Sequence, residues 1–136
     1  MYSPSLKHEN DEGGAVWSDA GTIIPWNLYM NYGDLNLLKK FYPMMKDYIE
    51  VLIKKDIEQG NKHLILNGFT FGDWLAQDGV CPQSIIGGTD TGFIMSVYYY
   101  VSDNIICKTA KELNEEKDYK KYNELKENIY NAIFFG

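Results

Sequence analysis

Between Gly33 and Gly60 apolar residues recur at Leu38, Phe41 or Tyr42, Met45, Tyr48 or Ile49, and Leu52. That is the three-and-four spacing of one buried helical face, where a strand would alternate at every second residue. The segment is therefore helical, and the rest of the chain must offer its apolar stripe a partner. Gly33 and Asp34 stop an earlier helix and cap this one, and Gly60 and Asn61 end it. Pro43 falls inside the pattern and is predicted to split it into a short helix and a longer one, with the proline in the first turn of the second.

The other helices follow the same logic. One is predicted from Asp19 to Asn31, kinked at Pro25. Another starts near Asp90 or Thr91 and ends at Asn114, with Ile94, Tyr98, Val101, Ile105 and Leu113 as its apolar stripe. The last runs from about Asp118 to Phe134, with Tyr122, Leu125, Ile129 and Ile133 inside and Lys120, Lys121, Lys126 and Glu127 on a solvated face. From Lys62 to Asp90 the periodicity gives way to Gly, Pro, Asn and Asp, which predicts a long, function-bearing loop with a short hairpin around Leu64 to Asn67. The sum is an all-α fold of four or five helices joined as antiparallel hairpins.

Composition narrows the function. A chain of 136 residues, 45% of them hydrophobic, buries a single core. A net charge of −6, a pI near 4.8 and no basic cluster disfavour nucleic acid and anionic membrane as partners. The longest apolar run, Phe93 to Val101, is too short to cross a bilayer. The chain opens without the basic and apolar regions of a secretion signal, and residues 1–14 read as a disordered or truncated lead-in to a domain over 15–136. Cys81 and Cys107 read as free thiols; His8 and His63 have no partner motif; Asp19, Asp34, Asp73 and Asp90 are scattered. No metal or cofactor is expected.

Two stretches carry chemistry. In the first, Trp17, Asp19 and Trp26 gather two indoles and a carboxylate around a helix start; in the second, Gly72 allows a sharp turn before Asp73 and Trp74. An indole covers the apolar face of a pyranose while a carboxylate accepts hydrogen bonds from neighbouring hydroxyls, so the pairing suits a neutral sugar. Packing explains Trp17 and Trp26 equally well, Asp19 also suits a helix cap, and Asp73 a loop cap.

The order and spacing of Trp17-Ser-Asp-Ala20, Pro25-Trp26, Tyr32-Gly-Asp34, Tyr42-Pro-Met-Met-Lys46 and Phe71-Gly-Asp-Trp-Leu-Ala76 resemble the bacterial α-L-rhamnosidases of glycoside hydrolase family 78. The helical tail is similar too, although Ser96 stands where that family has threonine. The resemblance implies part of an (α/α)6 toroid of about a dozen helices, roughly three times what this chain supplies. It implies an inverting hydrolase whose two glutamates lie about 6.5–9.5 Å apart and exchange protons with the leaving group and water. Neither glutamate motif is present here. The resemblance makes Asp19 and Asp73 binders of rhamnose hydroxyls, and Trp17, Trp26 and Trp74 pocket walls. Tyr98, which it turns toward the barrel axis, suits core as well as ligand.

Two functions follow from this. One is a fragment of an enzyme removing terminal α-L-rhamnose from a glycoside or polysaccharide, binding sugar without the acid–base pair. The alternative is a non-catalytic helical module for carbohydrate binding or interaction. A fragment of a toroid leaves apolar helix faces unpartnered, so self-association is expected.

Overall fold

The computed structural model describes residues 20–66 and 90–135. They form four helices, α1 (Ala20–Tyr32), α2 (Leu35–Glu58), α3 (Thr91–Glu112) and α4 (Glu116–Phe135), with no strand among the described residues. The lead-in over 1–14 and Cys81 lie outside them. Of the predicted hairpin, Leu64 to Leu66 carry no strand and Asn67 lies outside.

The turns are written in residue types. Gly33 takes a left-handed φ of +66° and its N–H closes on the Tyr29 carbonyl at 2.7 Å. Asp34 then caps α2, its carboxylate accepting from the Leu37 N–H at 3.2 Å. At the end of α3, Asn114 supplies the left-handed residue (φ 58°), and the Glu115 N–H reaches back to the Ala110 carbonyl at 2.8 Å. Such short links force α1–α2 and α3–α4 into antiparallel hairpins. Cross-bonds then set the two hairpins side by side. Thr22 meets Ser102 and Tyr29 meets Glu112, so α1 and α3 run in the same sense; Tyr42 meets Asp118 and Tyr122 meets Glu50, so α2 and α4 do likewise.

The core is the inner face of α2 (Leu38, Tyr42, Met45, Ile49, Leu52) against Met95, Tyr99, Ile105, Ile106 and Ala110 of α3 and Tyr122 and Ile129 of α4. Each large side chain so buried contributes about 1.5–3 kcal/mol. Leu125 and Ile133 pack at its margin, as the periodicity of α4 predicts.

Three expectations need correction. Pro43 does not split its segment: α2 is continuous from Leu35 to Glu58. Pro43 and Lys39, whose carbonyl it cannot serve, are both exposed, so the unserved carbonyl turns to water while the buried face carries the helix through. Of the expected α3 stripe, Ile105 is buried and Val101 and Leu113 pack against the core, but Ile94 and Tyr98 are only half-buried; the most buried face is centred one residue on, through Met95, Tyr99, Ser102, Ile106 and Ala110. That face is partly polar because α3 packs against all three other helices and buries Ser96, Ser102, Asp103 and Thr109 as well. Nor is the charged side of α4 merely solvated, since Lys121 pairs with Glu50 of α2.

Candidate functional site

The up-down-up-down order brings the start of α1, the end of α2, the start of α3 and the end of α4 to one end of the bundle. Both tryptophan–carboxylate stretches join the bundle there: the chain enters α1 directly after Asp19, and the chain between α2 and α3 contains Asp73 and Trp74. Trp17, Asp19, Asp73 and Trp74 themselves lie outside the described residues.

This end is held by polar contacts that begin one turn before α2 stops. Asp56 is 1% exposed, and its Oδ2 accepts from the Tyr99 hydroxyl at 3.2 Å, with His63 Nδ1 at 3.7 Å. Burial, first, and then the Asp56 charge push the Tyr99 hydroxyl above its ordinary pKa, so it remains a donor. After the helix the backbone turns through left-handed φ at Gly60 (+107°), Asn61 (+53°) and His63 (+58°). Only the first is free of a side-chain penalty, so the other two store strain that the surrounding bonds must hold.

Ile65 is then pinned to α3. Its N–H donates to the Ser96 hydroxyl at 3.1 Å, and that hydroxyl donates to the Ile65 carbonyl at 3.2 Å. The Leu66 N–H donates to Gln59 Oε1 at 2.9 Å. Gly92 is needed for this approach, because a Cβ there would stand 3.1 Å from the Leu66 carbonyl oxygen and 3.2 Å from its Cα. Asp90 caps α3 beside it, accepting from the Phe93 N–H at 2.8 Å.

Trp26 and Tyr98 are not brought together. Trp26 packs on the core, with its ring 5.6 Å from that of Tyr29. Tyr98 is half-buried one turn before Ser102, whose hydroxyl meets Thr22, which sets Tyr98 level with the start of α1. Trp26 lies one turn beyond Thr22, so at 1.5 Å per residue the two backbone positions are about 12 Å apart along the bundle.

The opposite half of the bundle is an ionic seam. Asp118 accepts from Tyr42 at 2.7 Å and from Lys46 at 2.8 Å. Burial alone would raise its carboxyl, but the Lys46 and Tyr42 hydrogen bonds outweigh it and hold the pKa below the ordinary value. Glu50 takes Lys121 and the Tyr122 hydroxyl. These groups tie α2 to α4. Among the described residues no cluster of three or more His, Cys, Asp or Glu side chains has a metal-holding arrangement, and no helix is long and apolar enough to cross a membrane. Cys107 is a buried free thiol, its S–H toward the Tyr119 carbonyl and Asn123 Oδ1 at 4.0 and 3.9 Å.

Sequence reading missed the Asp56–Tyr99 pair and the Ser96 clamp. The one available signal was polar residues recurring on α3 at helical spacing, Ser96, Tyr99, Ser102 and Asp103, which an apolar template passes over.

Comparison with known proteins fits this geometry. The bacterial alpha-L-rhamnosidase 6 hairpin glycosidase domain matches residues 1–134. An alpha-L-rhamnosidase of Alteromonas sp. (strain LOR) is 35% identical over 124 residues, 90% of this chain and 13% of that protein. One of Formosa agariphila is 28% identical over 130 residues, 96% of this chain and 13% of its own length. The solved structure of alpha-L-rhamnosidase from Dictyoglumus thermophilum superposes with a TM-score of 0.77 at 31% identity, covering 89% of this chain and 13% of that one. The chain thus spans about an eighth of the relatives it matches. With the domain model matching residues 1–134 of this chain and four helices paired as hairpins, the chain belongs to the bacterial α-L-rhamnosidase six-hairpin glycosidase family.

Proposed function

We propose that this chain supplies the sugar-gripping part of an inverting α-L-rhamnosidase acting on rhamnosylated glycosides or polysaccharides. Asp19 and Asp73 accept hydrogen bonds from rhamnose hydroxyls. Trp17 and Trp74 cover its apolar face, Tyr98 borders them at the level where α1 begins, and Trp26 backs the wall from the core. The observation that carries this reading is topological: both tryptophan–carboxylate stretches connect in sequence to helix ends that lie at one end of the bundle, where the Ile65 backbone is clamped to Ser96 of α3. No general acid or base is assigned to this chain, because inversion needs two carboxyl groups facing each other across the glycosidic bond with room for water.

The test uses the 136-residue chain with two ligands. A nitrophenyl α-L-rhamnoside should release no nitrophenol above background. Rhamnose should nevertheless change the tryptophan fluorescence, and Asp73→Asn should weaken that response by about tenfold or more, for a hydrogen bond to a charged group worth about 1.5–3 kcal/mol. Turnover that Asp73→Asn abolishes would refute the binding-only role, and an unaltered rhamnose response in that variant would make Asp73 structural.

A further inference from the structure

Two carboxylates are buried in this bundle, one in the last turn of α2 and one in the middle of α3, and only the first has a hydrogen-bond partner. Asp56 has the Tyr99 hydroxyl on Oδ2 and His63 close by, while its Oδ1 has no partner among the described residues. Asp103, in the middle of α3, is 0% exposed, and neither of its oxygens has a hydrogen-bond partner among the described residues. An ionised carboxylate so placed forfeits hydration without recovering it, whereas the protonated acid loses far less.

The surrounding groups do not change that outcome. From α4, Lys121 and Lys126 face Asp103 and favour its charged form, but Lys121 is already paired with Glu50 and neither makes an ion pair with Asp103. On α3, Tyr99 and Cys107 stand one turn before and after it. From α2, Glu50 and Asp56 add negative charge around the same Tyr99. From α1, Thr22 presents its hydroxyl to the adjacent Ser102. Desolvation dominates, and burial pushes the Asp103 carboxyl up to about 8.

We propose that Asp103 is held as a neutral carboxylic acid between α3 and α4, and that its ionisation loosens this hairpin, making the seam a built-in alkaline-sensitive element. The sign follows from proton counting. Above an ordinary carboxyl pKa of about 3.9 the unfolded chain has released its proton while the folded chain keeps it, so folding takes up a proton. The folding constant therefore falls with rising pH, by up to about tenfold per pH unit, and levels off once the folded carboxyl has itself ionised.

The experiment is denaturant unfolding of the 136-residue chain and of Asp103→Asn from about pH 5 to about pH 9.5. The amide keeps the volume and cannot ionise. The folding constant of the variant relative to the wild type should rise at least about tenfold from pH 5 to pH 8 and then flatten. Parallel profiles would overturn the proposal. Infrared spectra of the wild type labelled at its aspartates decide the matter even if the variant does not fold. A buried protonated-carboxyl band should be present at about pH 6 and disappear reversibly in the alkaline range, and its absence at pH 6 would likewise overturn the proposal.

Discussion

Ser96 shows how much one hydroxyl can hold. It donates to the Ile65 carbonyl and accepts from the Ile65 N–H, both buried, so Ser96→Ala leaves two backbone groups without a partner. That substitution should cost about 1–3 kcal/mol in denaturant unfolding, while Ser96→Thr, which restores the hydroxyl, should stay within about 1 kcal/mol of the wild type. Equal losses in the two variants would mean that volume, not hydrogen bonding, matters at this position. In the sequence Ser96 is legible only as a departure from the threonine of the resembling family. Asp56, Ser102, Asp103 and Thr109 are invisible in the same way, because hydropathy patterns place such residues outside and cannot see a partner 43 or 80 positions away, as Tyr99 is from Asp56 and Thr22 from Ser102. The one-residue offset of the α3 stripe has the same origin, since apolar Ile94, Tyr98 and Val101 outscore the polar face that the helix buries.

At the scale of elements the sequence is far more explicit, since turn geometry is set by residue type within a few positions. Gly33 with Asp34 and Gly60 with Asn61 fall where predicted, and each works through its own φ or cap. Pro43 is the exception, because a local rule weighs one lost hydrogen bond without the buried apolar side chains, Leu38 and Tyr42 before it and Met45, Ile49 and Leu52 after it, that hold α2 together across it. The helix therefore bears a removable cost. Pro43→Ala restores an N–H donor to Lys39 at an exposed position and gives back some unfolded-chain entropy, for a net gain of about 1–2 kcal/mol. Thermal unfolding should show this as a higher Tm; an unchanged or lower Tm would mean that the proline's rigidity outweighs the bond it removes.

The whole molecule is legible as a helical-hairpin protein because helix count, link lengths and the tryptophan–carboxylate spacing all survive in one dimension, whereas what its outer faces touch does not. The matched family domain comprises six hairpins, and the described residues form two. At the end of α4 Phe134 is 63% and Phe135 80% exposed, with Tyr130 ringed by Tyr100, Phe134 and Phe135 at centroid distances of 4.7 to 6.4 Å. Met30 and Tyr32 are exposed as well, at the opposite end of the bundle, where α1 stops. Isolated apolar residues on a surface are ordinary, but a cluster of mutually tilted aromatic rings on one helix end is a contiguous patch that water disfavours. We therefore expect the chain to self-associate, with sedimentation velocity showing larger species as concentration rises through the micromolar range. The double substitution Phe134→Ser with Phe135→Ser should shift that equilibrium toward monomer and reduce binding of a hydrophobic dye, without lowering Tm much, because neither ring is buried in the core. A wild-type chain that stays monomeric at high micromolar concentration and binds no dye would show that this patch is tolerated by water as it stands. Association that persists in the double variant would instead move the contact to the exposed end of α1.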